Sequence, residues 1–488
     1  MPDSIASGPA PHGWREAWRE PEFRVLALAA AVAYFARLWE GTLDGDPIIY
    51  ASVSKNIALS GNWLDLYLGN EPYWNKPPLV FWLTALLFKI FGTTTFAACF
   101  WPALFGAASC LVMHRLARDV FDRTTAFYAA LAMLLTPELL RYGSRLRLET
   151  VVVFFTLLAV YDAWRAVRAS DARHLRRVGI WIGLIFLAKG GPGFIALTVV
   201  GVFIGVSRAG ALLRAPAFWQ GLAALLVLGL SWPLLQWHQH GSPWLAHTFG
   251  QELFQIDTGD VPDQNPVLFY GWRMIRANSL WLVLGLLGAR ILWRERKAWP
   301  DRWRLIASWA LVSIVMISLP DRIYSRYLNA IHPILALLSG LWLARTLDPS
   351  RFAWLASGLP RATFAAAVVL LLLPFPIHND EARPVRAVDA ALRTTSPERE
   401  TVPVYGPVHN FTAGDFHFHV DRGVERIPSL DAAADLPVLV ASRQTAGELR
   451  AAGWRLIAEG WQWQAFAAPA TADHEESSPI TPASRRLE

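Results

Sequence analysis

The sequence predicts a polytopic α-helical membrane protein of about eleven spans, within a range of eleven to thirteen, with a small mixed α/β domain at its C-terminus. Three observations carry that expectation. Of 488 residues 54% are hydrophobic, and the mean hydropathy is +0.29. Only 17% are charged, against roughly 25% in soluble domains. Apolar runs approaching the roughly 20 residues needed to cross a hydrocarbon core recur along the chain. The 24 Trp and 26 Phe fit a protein with many lipid and interface contacts.

The elements follow in order. Residues 1–22 hold Pro2, Pro9 and Pro11 with Asp3, Glu16 and Glu20, and no apolar run able to act as the core of a signal peptide. They read as a short cytoplasmic tail, so the first span must direct insertion. Spans are expected at 23–39, 96–117, 124–140, 149–167, 178–188, 191–206, 217–237, 279–293, 303–319, 328–347 and 361–376. The run 79–91 is apolar but reaches only about 20 Å at 1.5 Å per residue. Charge decides its role. With 79–91 lying in the interface and the N-terminus inside, the arginine clusters 115–123, 165–177, 208–214, 290–304 and 345–361 all fall on the cytoplasmic side. Making 79–91 a span would put the first two clusters outside, against the positive-inside rule.

Both flanks of 178–206 are basic, so the chain should cross twice there, yet Lys189-Gly190-Gly191-Pro192 interrupts it. Two short helices meeting inside a protein-lined cavity satisfy both facts, since irregular backbone survives at membrane depth only where protein or water covers it. A single tilted span is the plainer alternative. The transmembrane module is thus expected over 23–376, with outside loops at 40–95 (polar over 40–78) and 238–278. Residues 377–468 should form a domain on the same, non-cytoplasmic side, with strands near 401–405, 415–420, 436–440 and 461–466. The Pro-, Ser- and Glu-rich residues 469–488 read as a disordered tail.

The net charge of +6 comes mostly from those arginine clusters, which act as topology signals, so nucleic-acid binding is not expected. Cys99 and Cys110 lie on one apparent helix about 16 Å apart, too far to bridge each other. His417 and His419 share a face of a predicted strand and read as polar surface more readily than as a metal site. Glu252 and Asp257 are candidates for an acceptor or cation site, and Asn410-Phe411-Thr412 fits a glycosylation sequon that chance explains as well.

Ionisable residues near membrane depth are costly and are therefore functional candidates. Here they gather on one side. Asp46 and Glu149 are the candidate catalytic acids. Lys76, Arg145, Lys189, Tyr324, Arg326 and Tyr327 are candidates for holding a donor phosphate, with Asp44, Tyr50, Arg147 and Arg322 in support. The bland readings are a helix cap for Asp46, a dipole-favoured first-turn charge for Glu149, an extended turn before two prolines for Lys76, snorkelling for Lys189 and span-end anchoring for Arg322 and Arg326. The mixture suits one chemistry. A glycosyl group leaving a lipid phosphate builds negative charge on phosphate oxygens, which Lys or Arg stabilises, while a carboxylate takes the proton of the attacking hydroxyl or amine.

At these motifs the chain resembles the GT-C glycosyltransferases of the bacterial aminoarabinose (lipid A) transferase and protein O-mannosyltransferase type. The resemblance covers about residues 25–350. An early Asp-Glu-x-x-Tyr-Ala motif stands here as Asp46-Pro47-Ile48-Ile49-Tyr50-Ala51, and a Lys-Pro-Pro-Leu motif as Lys76-Pro77-Pro78-Leu79. The second acid matches Glu149, the Lys-Gly break Lys189-Gly190, and a late basic-Tyr segment Arg326-Tyr327-Leu328, with Pro333 following. One departure is Pro47 in place of Glu, for which Asp44 is a potential substitute.

The resemblance implies a GT-C fold in a bacterial inner membrane and a site facing the periplasm. It implies inverting transfer from a polyprenyl-phosphate sugar to a glycolipid or protein acceptor, with Asp46 as leading acid and Lys76 and Arg326 on the phosphate. Two carboxylates can act alone or hold a divalent cation, so a cation stays open as a cofactor. A lipid or solute transporter is the rival of another class. Transporters place charges at the midplane and show internal repeats, whereas here the acids sit at one face and no repeat is visible.

Overall fold

The computed structural model describes residues 13–36, 38, 43, 45–253, 265–320, 323–372, 382–406, 416–420, 422–460 and 463–469. The chain divides into two compact units, residues 1–375 and 376–488.

Helix starts in the first unit follow the proline positions. Proline costs nothing in a first turn, where its missing N–H has no helical partner, and its fixed φ suits the helix. After the short α1 (Trp14–Ala17), α2 (Pro21–Phe35) opens this way, as do α3 (Asp46–Ser60) with Pro47, α7 (Pro137–Gly143), α10 (Pro192–Val206), α11 (Pro216–Leu245), α12 (Pro266–Arg294), α13 (Pro300–Ser318), α14 (His332–Thr346) with Pro333 and α15 (Pro349–Leu372). Side chains cap others. Thr94 accepts from the Ala97 N–H to start α5 (Thr95–Val120), and Asp122 from the Thr125 N–H to start α6 (Arg123–Leu134). The helices α4 (Leu79–Phe91), α8 (Leu148–Ala169) and α9 (Arg173–Lys189) complete the set.

Each expected span falls on a helix, with three differences. The run 124–140 is two helices, α6 and α7, because Pro137 disfavours helical backbone at Thr136, which is extended at ψ 113°. The region 238–278, expected as a loop, is helical over 238–253 and 266–278 among its described residues. α11 runs on to Leu245 through a kink at Gly241 and passes into a π-helical turn, Ala246–Leu253. α12 starts at Pro266, held by the Asn265 side chain, which accepts from the Val267 and Leu268 N–H groups. Its kink at Asn278 falls where the expected span began. The polar loop 40–78 holds α3 and a short antiparallel hairpin, β1 (Tyr67–Leu68) and β2 (Glu71–Pro72). Residues 178–206 form two helices that meet at Gly190-Gly191, where Gly190 takes φ 73°.

Among the described residues Thr95–Val120, Leu148–Ala169, Pro216–Thr248 and Pro266–Arg294 are long and apolar enough to cross a membrane. Trp219, Val227 and Trp237 on α11, and Leu280, Val283 and Leu286 on α12, are exposed apolar groups of the kind lipid covers. Small residues let helices close up, as expected where packing rather than water expulsion drives association. Gly179 of α9 meets Gly221 of α11 so closely that a Cβ on Gly179 would lie 1.9 Å from the Gly221 carbonyl oxygen. Buried charge also ties helices together. Asp162 of α8 accepts from Arg177 and Trp181 of α9 and lies 2.9 Å from His174 Nδ1, and Glu22 of α2 accepts from Arg123 of α6. Cys99 and Cys110 are buried, unbridged side chains of α5.

The second unit packs α16 (Ala382–Thr395) on a five-stranded sheet ordered β4-β3-β5-β7-β6. Its strands are β3 (Thr401–Tyr405), β4 (Gly423–Ile427), β5 (Val438–Ser442), β6 (Arg455–Glu459) and β7 (Trp463–Ala467), with α17 (Ala446–Ala451) after β5. β3 runs parallel to β4 and β5, while β7 runs antiparallel to β5 and β6. The expected strand at 415–420 is instead a helical turn over 416–419 that buries Phe416 and Phe418. His417 and His419 therefore share no strand face. Asp257 and Asn410 lie outside the described residues, as does the Glu252 side chain.

The α9–α11 contact is testable by size alone. Gly179→Ala should cost about 1–3 kcal/mol through overpacking and lower the melting midpoint of the detergent-solubilised protein. Gly201→Ala, whose Cβ meets nothing within 4 Å, should leave it unchanged; equal effects at the two positions would refute tight packing at 179.

Candidate active site

The site forms where four helix ends converge. Gly45 turns the chain at φ 68°, a conformation glycine adopts without strain, and delivers Asp46 as the first residue of α3. Among the described residues the hydrogen bonds of the Asp46 side chain go to arginines outside its own helix. Its Oδ2 accepts from Arg147 Nη1 at 2.6 Å and from Arg326 Nη1 at 3.2 Å. Arg147 precedes α8 in extended backbone, and Arg326 lies on a 3-10 turn, Ser325–Ala330, between α13 and α14.

One step into α8, Glu149 is 6% exposed, and its Oε1 accepts from Lys189 Nζ at 2.6 Å. Lys189 ends α9 at the glycine break, so the break stops the helix where its ammonium meets the first turn of α8. The Glu149 carboxylate also feels the charges of Arg147 and Arg326, which joins the two pairs into one network.

Lys76 follows a loop clamped to α11. His240 Nε2 lies 2.7 Å from Asp65 Oδ1, His247 Nε2 lies 3.1 Å from Asn75 Oδ1, and the Trp74 ring packs against both imidazoles. Lys76 donates to the Asn75 carbonyl at 2.9 Å and is within electrostatic reach of Lys189. Four cations, Lys76, Arg147, Lys189 and Arg326, thus face two carboxylates. Burial works against the Arg326 charge, but Asp46 and Glu149 more than offset it and hold its pKa above the ordinary value. The Arg326 guanidinium stacks 4.1 Å from the centre of the Tyr324 ring, which meets Tyr327 edge-on. Tyr50 is buried against Phe81.

Two cavities open from this network. The larger, about 650 Å³, has Glu149, Lys189, Arg326 and Tyr327 at its polar end and runs down past Thr156, Phe194 and Trp309. Glu149 and Thr156 lie seven residues apart on α8, so the groove descends about 10 Å along it at 1.5 Å per residue. The smaller, about 350 Å³, is lined by Arg145, Arg147, Tyr324 and Arg326 together with Glu138, Arg141 and Arg273.

Of the residues singled out in the sequence, Asp46, Arg147 and Arg326 share one hydrogen-bonded cluster and Glu149 and Lys189 a second, coupled to it by charge, with Lys76, Arg145, Tyr324, Tyr327 and Tyr50 around them. Asp44 and Arg322 lie outside the described residues. The capping reading of Asp46 gives way to its two arginine bonds. Arg273 went unnoticed because its segment read as loop, and Trp309 and Ser313 because nothing in a span's composition marks a groove wall. Among the described residues no three His, Cys, Asp or Glu side chains gather as a metal site, and Asp46 and Glu149 already have cationic side-chain partners.

Residues 75–237 match the family described as dolichyl-phosphate-mannose-protein mannosyltransferase. An undecaprenyl phosphate-α-4-amino-4-deoxy-L-arabinose arabinosyl transferase of Yersinia enterocolitica is 26% identical over 339 residues, 66% of this chain and 59% of that protein. The chain thus spans less than two thirds of the length of such curated relatives. The crystal structure of ArnT from Cupriavidus metallidurans bound to undecaprenyl phosphate superposes with a TM-score of 0.68 at 19% identity, covering 91% of this chain and 97% of that one. The archaeal oligosaccharyltransferase AglB from Archaeoglobus fulgidus, in complex with an inhibitory peptide and a dolichol-phosphate, superposes at 0.54 with 14% identity, covering 89% and 70%. These likenesses establish a polytopic helical membrane fold of GT-C type. In fold and sequence the chain is thus similar to glycosyltransferases of the aminoarabinose-transferase and protein mannosyltransferase type.

Proposed function

We propose that this protein transfers a sugar from a polyprenyl-phosphate donor to an acceptor of the cell envelope, with inversion at the anomeric carbon. The observation that carries the reading is the convergence of two carboxylates and four cations at the mouth of an apolar groove. A polyprenyl chain fits a groove walled by Phe194, Ile195, Trp309 and Met316, and its phosphate fits the cationic end. The relatives' names, an undecaprenyl-phosphate-linked aminosugar transferase and a dolichyl-phosphate-mannose transferase, point to the same donor class.

The chemistry follows from the charges. As an acceptor hydroxyl or amine attacks the anomeric carbon, the bond from that carbon to the phosphate oxygen breaks and its electron pair stays on the phosphate. Lys76, Lys189 and Arg326 stabilise that charge. The acceptor proton passes to Asp46, whose carboxylate Arg147 and Arg326 hold in a fixed orientation. Glu149 keeps the Lys189 ammonium at the groove mouth. A single displacement of this kind inverts the centre. By the arginine distribution the chain crosses a bacterial inner membrane about eleven times, with α4 in the interface, the site facing the periplasm and residues 377–468 on that same side. The acceptor in this reading is a lipid A-like glycolipid or other envelope molecule, with a protein hydroxyl as the alternative.

Transfer from a polyprenyl-phosphate sugar by the full-length protein in nanodiscs tests the reading. Asp46→Asn should lower kcat about 10²–10⁴-fold while donor binding persists, and an undiminished rate would remove Asp46 from the mechanism. Lys76→Ala should raise the donor KM about 10–100-fold, the loss expected for a charge-assisted hydrogen bond.

The Glu149–Lys189 pair gives a separate prediction, read by thermal melting. Glu149→Gln strands a buried ammonium and should cost about 3–5 kcal/mol, whereas combining Glu149→Leu with Lys189→Met should recover most of that stability without recovering transfer. Recovery of transfer in the double variant would reduce the pair to a structural tie.

A further inference from the structure

At the far ends of the helices that carry the site, arginines and aromatic rings gather a second time. Glu149 stands in the first turn of α8 and Arg168 in its last, about 28 Å away at 1.5 Å per residue. That is close to the roughly 30 Å of a hydrocarbon core, so Arg168 marks the opposite membrane face. Arg302, in the first turn of α13, feels the charges of Arg168 and of Arg345 in the last turn of α14. The Arg302 guanidinium lies 4.6 Å from the centre of the Trp299 ring and 5.6 Å from that of Phe121, and Arg345 lies 5.0 Å from the same indole. Along the same loop Trp293 meets Trp303 edge-on and carries the Arg296 guanidinium 4.3 Å from its centre.

Like charges drawn this close raise one another's energy unless an anion sits among them. Asp122 offsets part of the repulsion, but its carboxylate is engaged by the Thr125 N–H that starts α6, and Asp301 is engaged by Arg304. Arg302 and Arg345 make no ion pair among the described residues, and Arg302 is only partly exposed. Arginines that act only as topology signals need no such convergence, since they serve singly and in solvent. A ring beneath a guanidinium fixes its plane and leaves the N–H edges free to meet an anion. Those edges match phosphate oxygens two at a time.

We propose that Arg302 and Arg345, seated on Trp299 with Arg168 in reach, bind the headgroup of an anionic phospholipid in the leaflet opposite the active site. A lipid fits better than a soluble anion because the cluster lies at headgroup depth. Indoles such as Trp293, Trp299 and Trp303 belong to that level of a membrane, and Leu286 of α12 and Leu311 of α13 expose apolar surface along the same two helices. Basic pockets between spans hold acidic headgroups in this way. A headgroup shared by Arg302 and Arg345 ties the start of α13 to the end of α14. Those two helices flank, at their other ends, the turn that carries Arg326, so the lipid braces the site from the far side. The inference is independent of the donor reading.

The test uses the full-length protein in uncharged detergent, titrated with phosphatidylglycerol or with phosphatidylcholine of the same acyl chains, and reads thermal melting. Phosphatidylglycerol should raise the melting midpoint, and phosphatidylcholine should not. In Arg302→Gln/Arg345→Gln the apparent affinity for phosphatidylglycerol should fall about tenfold or more, the share expected of two arginines near an anionic surface. Arg345→Gln alone, at an exposed position, should lose about fivefold and decides the matter if the pair does not fold. Arg208→Gln/Arg214→Gln removes the same charge from the loop between α10 and α11 and should bind like the parent. Equal losses in the two pairs would show diffuse attraction and overturn the proposal. Parent-like binding by the Arg302 and Arg345 variants would place the lipid elsewhere, the groove included, and overturn it too. A parent protein that responds alike to both lipids, or as strongly to inorganic phosphate as to phosphatidylglycerol, would do the same.

Discussion

The architecture of the first unit depends on keeping a set of opposite charges together in a place where water is scarce. The pairs Glu149–Lys189 and Asp46–Arg147–Arg326 draw on α3, α8, the end of α9 and the turn before α14. Removing two charges from water costs several kcal/mol per ion, which their mutual attraction repays only with good geometry. Hydrophobic residues of similar size would hold those helix ends together at least as well. That a charged network stands there instead is an argument for chemistry, since preorganised charge stabilises charge that develops only during reaction.

Geometry good enough for such a network comes from places where regular structure stops. Gly45 turns the chain so that Asp46 opens α3. Pro137 ends one helix and begins another, which sets the path to Arg147. Gly190 halts α9 at Lys189. Unbroken spans would carry these side chains past one another on parallel cylinders. The breaks let helix ends meet, and the break at Gly190-Gly191 opens on the groove that Gly191 lines, a setting in which irregular backbone is tolerated at membrane depth. The close helix contacts, such as Gly179 on Gly221, give the ends little room to drift.

Legibility in the sequence followed the same division. Helices that span were readable because hydrophobic length is a strong local signal, and the break at 189–192 was readable because charge on both flanks demanded two crossings. The helical continuations over 238–253 and 266–278 were hidden, since His240, Arg273 and Arg276 lower the hydropathy of segments that extend beyond the apolar core. The strand expected at 415–420 failed for a related reason. Alternation of Phe and His over four residues satisfies a helical turn that buries Phe416 and Phe418 about as well as a strand. Asp46, Glu149, Lys189 and Arg326 could be found because ionisable residues at span ends stand out against an apolar background. Their pairing could not be read, because Asp46 and Arg326 lie 280 positions apart, and no local pattern encodes that contact.

The two cavities divide the problem that any lipid-linked transfer must solve. A donor with a long apolar tail and an acceptor of different chemistry have to present their reacting atoms at one point without exchanging places. Under the proposed function, the walls make that discrimination before any reaction occurs. One cavity is apolar with charge only at its mouth, and the other is lined by charge throughout. A polyprenyl chain in the smaller, arginine-lined cavity would leave guanidiniums desolvated and unpaired, and a charged headgroup deep in the groove would sit against Trp309 and Met316 with no counter-ion. Both misplacements are penalised by the same desolvation cost. Arg326, common to the two walls, is bonded to Asp46, which ties a cation assigned to the donor phosphate to the carboxylate assigned to the proton.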